Sequence, residues 1–289
     1  IRIDSGSPAE AAGMQVGDRI ITNGGIDVND SRALSERDRP SIGDSRTFVV
    51  DREGEEVSLD LTFAAQRSKD KNLNMIGTFM GFLFIIIGIL TFRKLNNNLS
   101  YGFALFAVLF GFIFTNGPYI PAGVLSNIVN ALSTTLVLLA FAYMLIFVFK
   151  YPPKSKILST ESGYRKLFYP AIITILLVWY LNIFQPDNNP TLNTAVQLIF
   201  AVTIIFYFGA SLVVLIKKYS GATTEDRKSS GLNHMLVGVV LGLLPVLISF
   251  IITQLAPKVV IPGNEYLFLT FIFIPIFFTM ALMQQASGK

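Results

Sequence analysis

The chain of 289 residues is 52% hydrophobic and only 15% charged, with a mean hydropathy of +0.56. Soluble domains carry roughly a quarter charged residues, so this composition argues against a purely cytosolic protein. No Cys and a single His exclude disulfides, thiol catalysis and Cys-ligated zinc, and neither a metal nor a cofactor is expected. The charge is divided unevenly. Residues 1–70 hold nine Lys/Arg against fourteen Asp/Glu, whereas residues 71–289 hold fourteen against five. An acidic piece therefore precedes a long, apolar, basic one, and the pI near 9.2 averages the two without pointing to nucleic acid.

The chain opens on Ile1-Arg2-Ile3-Asp4, with neither Met nor signal peptide. An exported head ahead of several spans normally follows a hydrophobic segment, so a fragment cut at both ends is expected. Residues 1–65 alternate short apolar runs with Gly and Asp turns, which predicts a small α+β domain. Pro8–Ala12, closed by Gly13, reads as a short helix. Arg19–Thr22 reads as a strand ending in an Asn23-Gly24-Gly25 turn, and Asn29-Asp30-Ser31 as the cap of a second helix reaching about Arg37. Ser45–Asp51 and Glu56–Phe63 flank Arg52-Glu53-Gly54-Glu55 as a hairpin.

Three of these elements together resemble bacterial PDZ domains. They are Ser7-Pro8-Ala9-Glu10-Ala11-Ala12-Gly13-Met14, then Gly17-Asp18-Arg19-Ile20-Ile21 with Asn23-Gly24, and finally Arg52-Glu53-Gly54-Glu55. The resemblance implies a groove that holds a partner's C-terminus by strand addition beside a second helix. In this chain it implies Ile1, Ile3 and Leu34 as peptide-binding positions. Two departures stand against it. Only Ile1 and Ile3 remain of the ligand strand, and Glu36-Arg37-Asp38-Arg39 places charge on the second helix. Peptide capture and a spacer or sensor role for the head are thus open alternatives.

Residues 66–72 read as a polar linker, and 73–283 as a membrane domain. Seven apolar runs are expected to cross a bilayer: Leu73–Phe92, Leu99–Thr115, Ser126–Phe149, Leu167–Phe184, Ala195–Ile216, Met235–Leu255 and Tyr266–Met283. Of the twelve basic residues between them, Arg93, Lys94, Lys150, Lys154, Lys156, Arg165, Lys166, Lys217, Lys218, Arg227 and Lys228 fall in odd loops and Lys258 alone in an even one. Residues 1–65 are therefore expected outside a plasma membrane, with the C-terminus, residues 284–289, inside.

No Asp, Glu, Lys or Arg falls within the seven runs, which argues against pumps, ion-coupled transporters and intramembrane proteases. His234, at the mouth of the sixth run, reads as an interfacial polar residue. Gly77/Gly81, Gly238/Gly242 and Ala107/Gly111 are small-residue pairs suited to helix packing. Asn127, Asn130, Ser133 and Thr134 form a polar patch, either bonding between helices or facing a signal. Pro245 and Pro275 are expected kinks.

Phe147-Val148-Phe149-Lys150-Tyr151-Pro152-Pro153, Gly238–Pro245, and Phe273-Ile274-Pro275-Ile276-Phe277-Phe278, in this order behind a PDZ-like head, resemble something further. They are similar to the membrane half of multipass bacterial sensor histidine kinases of the competence-pheromone-receptor (ComP-like) type. The resemblance implies an α+β PDZ-like head, an all-α membrane domain and a homodimeric receptor. It also implies signal detection outside, with relay to a cytoplasmic kinase beyond this chain. Membrane lipid and a peptide or protein C-terminus are the implied partners, and no catalytic residue is expected in residues 1–289. A PDZ-bearing envelope adaptor working with a protease is the alternative.

Overall fold

The computed structural model describes residues 3, 6–30, 33–34, 37–65, 68–115, 124–152, 161–184, 190–255, 261 and 263–287. Two compact units divide the chain. One is built on Ile1–Lys71 with Pro118–Asn130 and Trp179–Ala195; the other comprises Asn72–Gly117, Ala131–Val178 and Val196–Lys289.

The first unit carries the α+β head. Helix α1 (Pro8–Ala11) begins with Pro in its first turn, where no N–H is needed, and the Ser7 hydroxyl accepts the Glu10 N–H at 3.2 Å. It ends at Gly13, whose φ of +84° few other residues adopt. Strands β1 (Arg19–Asn23), β2 (Ile26–Asp27), β3 (Ser45–Arg52) and β4 (Glu55–Thr62) form one antiparallel sheet in the order β2-β1-β3-β4. The hairpin expected from Arg52–Glu55 is present in unbroken register from Ser45↔Thr62 to Arg52↔Glu55. Its two turn residues, Glu53 and Gly54, both have positive φ (56° and 94°), the geometry that matches the twist of paired strands. Met14, Phe48 and Leu61 are buried together, with Ile3, Ile20 and Leu59 packed against them. Of the second expected helix, Ala33 and Leu34 are helical, and the Asp30 carboxylate accepts the Ala33 N–H at 2.9 Å. Ser31 and Glu36 lie outside the described residues.

All seven apolar runs are helical. They appear as α2 (Ser68–Leu95), α3 (Asn98–Phe114), α4 (Val124–Lys150), and, after a short α5 (Glu161–Lys166), α6 (Tyr169–Trp179), which continues as a π-helix over Tyr180–Phe184. There follow α7 (Pro190–Gly221), a short α8 (Thr224–Ser229), α9 (Leu232–Leu255), and a 3-10 helix, Asn264–Ile272, leading into α10 (Phe273–Ser287). Among the described residues five helices are long and apolar enough to cross a membrane, namely Lys71–Leu95, Leu125–Lys150, Glu161–Ile183, Thr194–Gly221 and Asn264–Ser287; Asn98–Phe114 and Leu232–Val246 are shorter apolar helices. Helix α2 starts inside the segment read as a linker, where Ser68 and Asp70 suit a helix start and lysine is a good intrinsic helix former.

In the second unit, aromatic rings and small residues divide the packing between them. Phe103, Phe147 and Phe278 are buried and mutually close, with centroids 5.6–6.2 Å apart. At Gly81 and Gly88, where α2 approaches α3, no side chain fits. A Cβ on Gly81 would stand 2.5 Å from the Gly111 carbonyl oxygen, and one on Gly88 2.7 Å from the Ala107 Cβ. Gly238 and Gly242 of α9 are closed in the same way, by Phe277 and Ile274 of α10, each at 2.7 Å. Gly77 has only ordinary contacts, the nearest at 3.8 Å. Hydroxyl pairs join helices: Thr91 to Thr279 at 2.8 Å between α2 and α10, and Thr174 to Thr203 at 2.9 Å between α6 and α7.

These contacts separate two glycines of one GxxxG pair. Gly81→Val must push α3 away and should cost about 1–3 kcal/mol, read as a lowered melting temperature of the purified chain. Gly77→Ala should leave the melting temperature near its starting value. Equal losses would show that the α2–α3 approach does not depend on Gly81.

Candidate functional site

In the head, Asp18 and Arg52 tie the helix end to the sheet. Asp18 is buried, and its carboxylate accepts from Arg52 Nε at 2.8 Å, from a second Arg52 nitrogen at 2.7 Å and from the Gln15 N–H at 2.8 Å. The same guanidinium donates to the Gly13 carbonyl at 2.9 Å. The Arg52 hydrogen bonds, followed by that from Gln15, hold the Asp18 carboxyl at about 2, well below its ordinary 3.8. The Gly17-Asp18 and Arg52-Glu53 segments, quoted above as separate parts of one pattern, thus meet in a single bidentate pair.

The three positions expected to bind peptide are distributed otherwise. Ile3 is half-buried against the head core, Leu34 is half-buried in its helical fragment, and Ile1 lies outside the described residues. The polar patch lies along α4. Asn127, Asn130 and Ser133 are exposed and Thr134 is half-buried, and Asn130, Ser133 and Thr134 each have an interaction partner. Pro245 falls inside α9, where it removes one ladder donor. Pro275 is the third residue of α10, just past the point where 3-10 geometry gives way to α, and the Phe273 N–H two residues before it still bonds back to the Thr270 and Phe271 carbonyls. His234 is half-buried near Phe277, with ring centroids 6.3 Å apart, and its Nδ1 is enclosed without a partner among the described residues. Also among the described residues, no group of three or more His, Cys, Asp or Glu could hold a metal.

Three buried polar side chains escaped the sequence reading. Lys218, counted as a loop cation, is in the last turn of α7 and 7% exposed. Its Nζ donates to three backbone carbonyls around the end of α4: Val148 at 3.0 Å, Phe149 at 2.7 Å and Tyr151 at 2.6 Å. Tyr151 is buried, its hydroxyl donates to the Ser230 carbonyl, and burial pushes its phenol above the ordinary range, so it remains a donor at neutral pH. Tyr207 of α7 is fully buried. Its hydroxyl donates to Leu167 O at 2.7 Å and accepts from Ala171 N at 3.0 Å, entering the i→i−4 ladder at the start of α6. In the sequence Lys217-Lys218 is one basic doublet, and nothing local distinguishes the solvated lysine from the buried one.

Compared with known proteins, the chain matches no family model, no curated protein and no solved structure.

The Asp18 pair makes head stability depend on pH. A carboxyl whose folded-state value is depressed stabilises fully above its ordinary value and loses that contribution as pH falls toward about 2. Amide protection factors in β1 and β3, taken relative to the intrinsic exchange rate at each pH, should therefore fall between about pH 4 and pH 2, and the step should vanish in Asp18→Asn. An unchanged step in that variant would assign it to another carboxylate.

Proposed function

We propose that residues 1–289 form the sensor and relay portion of a bacterial two-component receptor. A PDZ-like head stands outside the plasma membrane, seven helices cross it, and α10 carries a change of helix packing inward to a kinase. The observation that carries this reading is the means by which the helices are joined. Hydroxyl pairs, closely apposed glycines and interlocked phenylalanines hold the second unit, while the seven apolar runs contain no ionisable core group to move a proton or ion. Such joints are suited to repacking in response to a signal.

Several further features support it. Helix α3, at 17 residues, spans about 25 Å, and α9, at 24 residues, about 36 Å, lengths compatible with two spans beyond the five long apolar ones. The order helix–glycine–strand followed by a hairpin supports the PDZ-like reading of the head. Because Ile3 is already packed against the head core, we propose that the head of this chain acts as a spacer or sensor. The polar face of α4 is the proposed signal-facing surface, and the receptor is proposed to act as a homodimer.

The chain lacks Cys, so introduced cysteines report cleanly on topology. A Cys at Asn188 should be labelled by an impermeant reagent from outside intact cells, and one at Ser155 only after the membrane is opened. The reverse pattern would overturn the orientation and with it the sensor reading. In the full-length protein, Pro275→Ala should change basal autophosphorylation or its response to signal. Unchanged output over a range of signal would count against α10 as the relay, and a full-length protein without a kinase module would favour the adaptor.

Titration of the whole chain, purified in detergent, with fluorescent C-terminal peptides is expected to give no saturable binding. Micromolar affinity would show that Ile3 leaves the head core to open a groove.

A further inference from the structure

We propose that Lys218, Tyr151, Gly231 and Ala281 form a mechanical joint that makes the position of α10 depend on the ends of α4 and α7. The inference rests on the reading of α10 as the relay helix, but its geometry is independent of the signal and of the kinase.

The joint begins at a helix end. The last carbonyls of α4 have no partners within the helix, and the Lys218 ammonium, which has three protons, gives one to each of Val148, Phe149 and Tyr151. A cation is favourable at this negative end of the helix dipole. With all three donors used by one strand of backbone, the end of α7 cannot move relative to the end of α4 without breaking bonds to a buried charge.

From Tyr151 the linkage runs onward. Its hydroxyl donates to the carbonyl of Ser230, the residue before Gly231. Gly231 has φ +74° and touches α10 backbone to backbone, since a Cβ there would lie 2.7 Å from both the Cα and the carbonyl oxygen of Ala281. Ala281 is itself fully buried. No flexible side chain intervenes between the Ser230–Gly231 peptide and the α10 backbone, so a displacement at Tyr151 is not absorbed by a rotamer change.

A small void lies one turn deeper. A cavity of about 10 Å³ is lined by Val148, Leu215, Val239 and Phe278, among others. These residues lie one helical turn from Tyr151, Lys218, Met235 and Ala281, on the same four helices.

The test uses the whole cysteine-free chain in lipid nanodiscs, with spin labels on cysteines introduced at Asn96, beyond the end of α2, and Ala286, in α10. A control pair at Ile76 and Phe112 reports on α2 against α3. Tyr151→Phe, which removes one hydroxyl, should shift or broaden the 96–286 distance distribution by about 1–2 Å or more, the scale of helix shifts at switching interfaces, and leave the control pair unchanged. Lys218→Met should do the same to a larger extent. Lys218→Arg should not restore the parental distribution, because a planar guanidinium cannot converge three donors as an ammonium does. If Lys218→Met disturbs both pairs by unfolding, Tyr151→Phe decides. Parental 96–286 distances in Tyr151→Phe would overturn the joint. Such a result would leave the sensor reading standing, since that reading is decided by kinase output and by topology.

Discussion

Inside a bilayer a helix satisfies its own backbone everywhere except at its ends, where the last four carbonyls have no intrahelical donors. The arrangement of this chain's helices at one of those ends follows from that constraint. Helix α4 ends in Phe149-Lys150, with Tyr151 next in the chain, and the donor that meets the carbonyls there comes from α7 in the form of a buried lysine. Once Lys218 is committed there, Tyr151 is held in place, its hydroxyl finds the Ser230 carbonyl, and the Gly231 turn is set against α10. Four helices are brought into register by one charge and one phenol. Removing either partner would leave a buried polar group unsatisfied, a cost larger than the bond itself contributes.

The head solves the same kind of problem with the opposite sign of buried charge. Asp18 caps the turn at Gln15 and accepts two bonds from Arg52, which also reaches Gly13. A loop, a helix end and a strand are thereby fixed about one carboxylate. Here the charge is matched by a guanidinium whose planar fork suits a carboxylate. The Lys218 ammonium is instead surrounded by carbonyl dipoles that can converge from three directions.

Much of this was legible in the sequence, and the reasons are specific. Glu53-Gly54 between two alternating runs could only be a tight hairpin turn, and Gly13 after Pro8–Ala12 could only end a helix. The seven helical runs were visible because apolar stretches of that length have few alternatives. Gly81, Gly111, Gly238 and Gly242 were correctly marked as close-approach sites by spacing, but Gly77 was not distinguishable from Gly81, because the face a helix turns to its neighbour is a tertiary fact. The short helices α5 and α8, two-residue β2, and the change to 3-10 geometry over Asn264–Ile272 carried no periodic signal. Lys218, Tyr151 and Tyr207 were missed for the same reason. Each owes its role to partners at least 36 residues away in the chain, and no local pattern encodes such a pairing.

The energies involved bear on whether such a body can switch. An interhelical hydroxyl pair in a membrane contributes about 0.6–2 kcal/mol, and 1.4 kcal/mol changes an equilibrium tenfold. Thr91 with Thr279 and Thr174 with Thr203 therefore hold their helices with energies that a bound signal can match. A complete switch from one packing to another needs about 5.5 kcal/mol of differential affinity, equivalent to a few such contacts. A lattice of buried ion pairs would raise the cost of repacking well beyond this range, because each broken pair strands a charge in low dielectric. Among the described residues, the helical body instead has its one buried charge, Lys218, at the end of α4 and ties its helices elsewhere by weaker hydroxyl pairs. Under the relay proposed above, motion that the ties permit would reach the backbone of α10 where Ala281 meets Gly231, with no side chain between them to absorb it.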